Sequence, residues 1–344
     1  MRESRIWPLA EAALRDLEPT FMAMYAQIGR PSIPPEHLLK SCLLMALYSI
    51  RSERQFCERL RYDLLFKWFL QLNVEDEPFD HSSFAKNRKR LLEHGVSRQF
   101  FEAVVGQARK RHLLSSNHFT VDGTLLESWA SMKSLRRRDQ DDDPGDGNGY
   151  TPRNPDVDFK GQRRSNATHF SPTDREALMA RKGMGKETKM CFAGHVLMEN
   201  RQGLAVDVEL TQASGTSERE AASLMLRRMR QRVRRHRCTL GADKGYDARD
   251  FIVSCQELRV TPHIARKNSF WGSAVLAKLA PTPGYRVSQR KRKRVEEIFG
   301  WTKTVAGGRK LRYKRVERNR LWAEMTAAAY NLVRMSKLVP VPEQ

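Results

Sequence analysis

Apolar positions recur at intervals of three and four through residues 1–112, and at intervals of two in several short runs beyond them. The first stretch therefore predicts an all-helical unit. Pro34-Pro35 opens a dense apolar segment from His37 to Ile50, with the prolines near a first helical turn. Ser52 can cap a second helix reaching about Tyr62. Asp63 can cap a third that carries Leu64, Leu65, Phe66, Trp68, Phe69 and Leu70. Ser82 or Ser83 starts another, with Phe84, Leu91 and Leu92 inward and Lys86, Arg88, Lys89 and Arg90 outward, and Gly95 ends it. A last helix runs from Arg98 to about Arg111.

Strand signals follow. Phe119 and Val121 alternate with Thr120 and Asp122, and a glycine comes next, so Asp122 is expected at a strand end. Met190–Met198 and 204–210 read as two strands of a hairpin joined through Asn200-Arg201-Gln202-Gly203. Thr216 or Ser217 with Glu220 forms a capping pattern for a helix reaching His236. A short strand ends at Asp243, and Asp247 is read as the cap of the helix holding Phe251, Ile252 and Leu258. Val260–Ala265 is another strand, and Leu321–Leu338 a final apolar helix. Between the first strand and the hairpin, residues 129–187 hold few large apolar groups. They read as a charged, flexible insertion whose acidic run, Asp141-Asp142-Asp143 with Asp146, is a solvated loop. Residues 339–344 form a tail. The frame is thus α/β: a mixed sheet with flanking helices (113–338) behind a helical unit (1–112).

Charge changes the picture. The 344 residues carry 62 Lys and Arg against 40 Asp and Glu, a formal net charge of +22. Such an excess points to a polyanion, most simply double-stranded DNA or RNA, with an anionic membrane surface as the competitor. No apolar window is long enough to span a bilayer, and the amino terminus lacks the apolar core of a signal peptide, so the expected place is the cytoplasm. On this charge balance the short helices, with one basic face, fit a helix-turn-helix-like DNA-binding module. Arg163, Arg164, Arg181, Lys182 and Lys186 of the insertion could also drape on DNA. Five cysteines, widely spaced and without a C-x-x-C pair, argue against a disulfide framework or a structural zinc site.

The sharpest stretch is Arg290-Lys291-Arg292-Lys293-Arg294-Val295-Glu296-Glu297-Ile298-Phe299-Gly300-Trp301-Thr302-Lys303. At helical pitch Arg292, Glu296, Phe299 and Lys303 share one face, while Val295, Ile298, Phe299 and Thr302 make an overlapping apolar stripe. A carboxylate between two cations suits a site where acids hold divalent metals and Lys and Arg hold phosphates. A surface helix laced with ion pairs has the same pattern. Asp122 and Asp243, each followed closely by glycine, supply two further acids.

These motifs resemble the DDE transposases of bacterial insertion sequences, close to the IS-five family in the ribonuclease H-like superfamily. The resemblance rests on Val121-Asp122-Gly123-Thr124, on 194–201, on Ala242-Asp243-Lys244-Gly245-Tyr246-Asp247, on 294–301, and on Ala329-Tyr330-Asn331-Leu332-Val333-Arg334. Arg292, Glu296 and Lys303 match the spacing of the family signature around its last acid, which selects Glu296 over Glu297. Gln289 stands where the signature has tyrosine, putting any tyrosine contact to the DNA end in doubt. The fold so implied sets the first and fourth strands side by side and brings a helix with the third acid to their ends. The resemblance implies that Asp122, Asp243 and Glu296 bind two Mg²⁺ ions, with Mn²⁺ as a substitute. Arg292, Lys303, Lys244, Arg290, Arg294, Lys86, Arg88 and Arg90 would contact DNA. The implied activity is cleavage at inverted-repeat ends and joining of the 3′-hydroxyl ends to target DNA, by at least a homodimer in the synaptic complex. A nuclease without strand joining and a catalytically silent DNA-binding repressor share many of these features. Of the other acids, Glu127 is a candidate supporting residue, and Asp207 and Glu209 are expected on the solvent side of their strand.

Overall fold

The computed structural model describes residues 2–24, 32–138, 164–183, 185–232, 237–267 and 272–339. The amino-terminal part is helical as expected: α1 (Arg2–Arg15), α2 (Glu18–Met24), α3 (Pro35–Leu47), α4 (Glu53–Leu60), α5 (Leu64–Leu70), α6 (His81–Glu93) and α7 (Val96–Lys110). Local capping explains several starts. The Ser52 side chain accepts from Gln55 N, and Asp63 accepts from the backbone N–H groups of Leu65 and Phe66. Asp80, rather than Ser82 or Ser83, caps α6 by accepting from Ser82 N at 2.8 Å.

A mixed sheet follows, built from β1 (His118–Glu127), β4 (Leu178–Ala180), β5 (Lys189–Glu199), β6 (Ala205–Gln212), β7 (Cys238–Ala242) and β8 (Val260–Ile264). A separate two-stranded pair, β2 (Arg136–Arg137) with β3 (His169–Phe170), lies outside it. β5 is antiparallel to β1, and on its other side it pairs with both β6 and β4. β1 and β7 are parallel neighbours, as are β7 and β8. The expected adjacency of first and fourth main strands is therefore present. Helices α8 (Ser217–Arg232) and α9 (Arg249–Glu257) connect the later strands, and α10 (Pro283–Lys291), α11 (Glu296–Thr304) and α12 (Val316–Leu338) close the chain.

Period-two alternation gives the sheet two apolar faces, and each has its own core. Phe119, Val121, Leu197 and Val206 pack with Met225, Leu226, Phe251 and Ile252 of α8 and α9. Leu126, Phe192, Val196 and Met198 face the other way and share one continuous core with α1, α3–α7, α11 and α12. The helical unit thus packs onto the body through α12 instead of standing apart. Asn331 of α12 secures the joint: it accepts from Ala205 N at 2.9 Å and donates to Ala205 O at 2.8 Å, like an added strand residue.

Three expectations change. Residues 129–187 are not one flexible insertion: within the described parts β3 pairs with β2 and β4 joins the main sheet. Asp174, buried there, accepts from Arg315 N at 3.0 Å. The acidic run and Arg163 lie outside the described residues. Asp207 and Glu209 do not face solvent, because α8 covers one face of β6 and α12 the other. They are buried against arginines: Arg98 stands 2.7 Å from Asp207, and Arg228 and Arg320 stand 2.8 and 3.1 Å from Glu209. Such pairing offsets part of the cost of burying a charge. Asp247 does not cap α9; its buried carboxylate accepts from the N–H groups of Lys267 and Ala274.

Candidate active site

The parallel register sets Thr120 opposite Gly241. Two further residues along each strand bring Asp122 and Asp243 level. Asp243 directly follows β7, as expected. Asp122 does not end its strand, since β1 runs on to Glu127 along β5. What ends at Thr120 is the pairing with β7, and that divergence opens the space in which the two acids meet. Each carboxylate accepts a backbone N–H from the glycine after it: Gly123 to Asp122 at 2.8 Å, and Gly245 to Asp243 at 2.7 Å.

The third acid arrives on a helix that changes pitch. The backbone stays helical from α10 through α11, but residues 292–295 tighten into a 3-10 turn between Lys291 and Glu296. Directed contacts hold the segment. Tyr285 donates to Ile264 O at 2.9 Å, and Gln289 donates to His263 O at 2.5 Å. Gly241 lets the helix approach β7: a Cβ there would stand 3.3 Å from Arg292 Cβ. Arg294 donates to the carbonyls of Asn200 and Arg201 in the β5–β6 turn, and Asn200 is bonded in turn to Thr120 of β1. That turn is held by the buried Glu199, which accepts from the N–H groups of Gln202, Arg201 and Ser115. Finally Lys303 donates to Thr124 at 2.5 Å, two residues beyond Asp122 on the same face of β1. Val295, Ile298 and Phe299 are buried beneath, as their spacing predicted.

The charges of Asp243, Glu296 and Glu218 all act on Asp122. Burial first, then these three neighbours, push its carboxyl up to about 7 against the opposing Gly123 N–H. Burial and the nearby Lys182 lower Lys303, while Glu296 opposes them. Glu297 is engaged elsewhere, 2.6 Å from Arg334 and 3.7 Å from Arg294, whereas no ion pair holds Glu296 among the described residues. The residues fit a divalent cation by their chemistry: hard carboxylate oxygens, mutually repelling, beside lysine and arginine. As the side chains are oriented, no group of three acids, histidines or cysteines among the described residues stands close enough to chelate one ion.

The basic residues divide. Lys244, Arg290 and Lys86 are exposed. Arg90, also exposed, has Asn87 Oδ1 3.4 Å away. Arg292 donates to Gln289 Oε1 at 3.0 Å, so the residue in the tyrosine place orients this arginine. Arg294 is half-buried and spent on the β5–β6 turn. Arg88 does not lie on the outer face of α6: it is paired with Glu53 and stacked 4.1 Å over the Tyr313 ring. Glu127 is taken by Lys189 and Lys310, so it holds the end of β1. The reading of the sequence missed Glu218. Its only signal there is a second acid in the first turn of a helix, a position that ordinarily serves the helix dipole.

The class is therefore an α/β protein whose acids gather where two parallel strands diverge, ringed by cations. Residues 160–332 match the model of the transposase DDE domain, half of the chain, and the chain belongs to that family. Residues 5–90 match a second model, described as transposase domain (DUF772). The first match takes in Asp243, Glu296 and Lys303; Asp122 lies between the two. No curated protein matches the chain. Among solved structures, a piggyBac transposase synaptic complex with hairpin DNA is similar over 97% of this chain and 75% of that one, at 9% identity and a TM-score of 0.43. A Mos1 transposase paired-end complex is similar over 84% and 83%, at 12% identity and a TM-score of 0.22. Among the described residues no helix is long and apolar enough to cross a membrane.

Proposed function

We propose that the chain is a DNA transposase of the bacterial insertion-sequence type, IS-five-like, which cleaves inverted-repeat ends and joins their 3′-hydroxyls to target DNA. What supports the reading is that the charges of Asp243, after β7, and Glu296, at the start of α11, both act on Asp122 of β1. The strand order β6-β5-β1-β7-β8, antiparallel for the first three and parallel for the rest, supports a ribonuclease H-like core.

Asp122, Asp243 and Glu296 would hold Mg²⁺ or Mn²⁺, which when bound supplies Lewis-acid activation of water or a 3′-hydroxyl and stabilises the leaving oxygen. The chain's own work is positioning. Lys303, fixed by Thr124, and Arg292, fixed by Gln289, present cations beside the acids, where they can hold the phosphates flanking a scissile bond. Lys244 and Arg290 extend that basic rim, and Lys86 and Arg90 give α6 a second contact with DNA. The net charge of +22 supplies the affinity for the DNA backbone. No protein nucleophile is required. Pairing two ends implies a homodimer, acting in the cytoplasm on the chromosome.

The test is Mg²⁺-dependent cutting and joining of the DNA that flanks this gene, with Asp243→Asn beside the wild type. Cutting at the repeat ends followed by joining, lost in the variant, is the expected result. Cutting without joining would replace the reading with a nuclease, and binding without cutting with a repressor.

A further inference from the structure

Each strand-borne aspartate is followed closely by a glycine, and both glycines border one further side chain. A Cβ on Gly123 would stand 3.2 Å from Glu218 Oε1 and 3.3 Å from Glu218 Cγ. A Cβ on Gly245 would stand 3.6 Å from Glu218 Oε2 and 2.9 Å from Asp243 Oδ1. The Glu218 carboxylate therefore spans the gap between the two strands, one oxygen over the residue after Asp122 and the other beside Asp243. A side chain at Gly123 would press on Glu218, and one at Gly245 would press on Asp243 while merely touching Glu218. Glu218 is exposed, and no ion pair holds it among the described residues.

Two buried polar atoms face the same space. His195 is fully buried, its Nε2 is bonded to Thr211 at 2.8 Å, and its Nδ1 has no hydrogen-bond partner among the described residues. That Nδ1 lies 3.1 Å from the same Gly123 point that Glu218 Oε1 approaches. The Tyr246 hydroxyl is likewise fully buried and unpartnered, and the charges of Glu218, Asp122 and Asp243 all act on it. A carboxylate set between two aspartate-bearing strands, with unpartnered polar atoms behind it, suits a site for a cation.

We propose that Glu218 is a fourth carboxylate of the active site, sharing with Asp243 the binding of a divalent cation. The proposal rests on the metal-dependent reading above and extends it to the α8 side of the sheet. It gives the two glycines matching purposes: Gly123 leaves room for Glu218, and Gly245 for Asp243.

The test is calorimetric titration of the whole chain with MnCl₂, without DNA, for the wild type, Glu218→Gln, Asp243→Asn and Glu220→Gln. Glu220 lies two residues along α8 and serves as the control. Glu218→Gln is expected to weaken Mn²⁺ binding about tenfold or more, with the circular dichroism spectrum and the unfolding midpoint in EDTA undiminished. Glu220→Gln should bind as the wild type does. Wild-type affinity and stoichiometry in Glu218→Gln, with binding lost in Asp243→Asn, would overturn this proposal alone. Binding undisturbed in both, or no Mn²⁺ bound by the wild type, would overturn it together with the metal-dependent reading.

Discussion

Glu296 and Glu297 are adjacent, exposed and chemically identical, so they give a clean test of the site. Their surroundings differ. Glu297 bridges Arg334 and Arg294, pairs in which the acid is 48% exposed and the arginines 24% and 28%. Ion pairs this accessible contribute about 0.2–1 kcal/mol each, so Glu297→Gln should cost on the order of 1 kcal/mol. Globular chains gain about 2.1 cal/mol/K of unfolding entropy per residue near 60 °C. Over this chain that entropy turns the loss into a midpoint shift of about 1–2 °C. Glu296 holds no such pair, and Glu296→Gln should leave the midpoint within error while removing a carboxylate that acts on Asp122. The assay is paired: thermal unfolding of both variants, then Mg²⁺-dependent cleavage and gel-shift binding of repeat-end DNA. Glu296→Gln should bind ends and not cut them; Glu297→Gln should cut them. Cleavage lost in Glu297→Gln and kept in Glu296→Gln would refute the assignment of the third acid.

Other consequences concern the joints. Glu324 is buried between α12 and α7, where Ser97 donates to it at 2.6 Å, and burial pushes its carboxyl up to about 7 despite Ser97, Arg98 and Arg320. Because the folded state holds this proton more tightly than the unfolded one, the group's contribution is fully present below about pH 4.5. It falls as pH rises towards 7, so Glu324→Gln should flatten that decline in urea titrations, by on the order of 3 kcal/mol at pH 8. Asn331→Ala strands both backbone groups of Ala205 that face α12, and should cost about 2–4 kcal/mol in the same measurement. On α6, Lys86→Ala should weaken binding to repeat and random DNA alike and reduce the salt slope by about one. Arg88→Ala should instead lower the unfolding midpoint, since it removes the Glu53 pair and the Tyr313 stack.

Much of this fold was legible because local pattern and tertiary demand agree. The β5–β6 hairpin, α8, β7 and α12 follow from period and turn residues alone. The placement of Asp243 just after its strand is equally legible, since alternation there gives way to glycine. The failures share one cause: they depend on what lies across a contact. Helix α1 was not delimited within the helical unit although Ile6, Leu9, Ala10, Ala13 and Leu14 are all buried, because the stripe is interrupted by charges and by Pro8. Asp207 looked like a solvent-side residue because alternation cannot say that both faces of β6 are covered. Arg88 looked free because Glu53 and Tyr313 are distant in sequence. Glu218 was hidden for the opposite reason, as an acid in a first helical turn needs no further explanation.

The distribution of partners explains why the site stays poised. The chain is rich in arginine, and several structural acids have a cation against them: Asp207 with Arg98, Glu209 with Arg228, Glu297 with Arg334, Glu127 with Lys189. Others, such as Glu199 and Asp247, are held by backbone N–H groups. Asp122, Asp243 and Glu296 hold no ion pair among the described residues. The segment that brings Glu296 is fastened through carbonyls and amides, by Tyr285, Gln289 and Arg294 to β8 and the β5–β6 turn, and no fastening uses a site carboxylate. Lys303 is held by the Thr124 hydroxyl, which fixes its ammonium near the acids without neutralising them. Backbone-directed anchoring therefore separates two demands that conflict in a basic protein. It positions the segment that carries Glu296 firmly, and it leaves Asp122, Asp243 and Glu296 without an ion pair among the described residues.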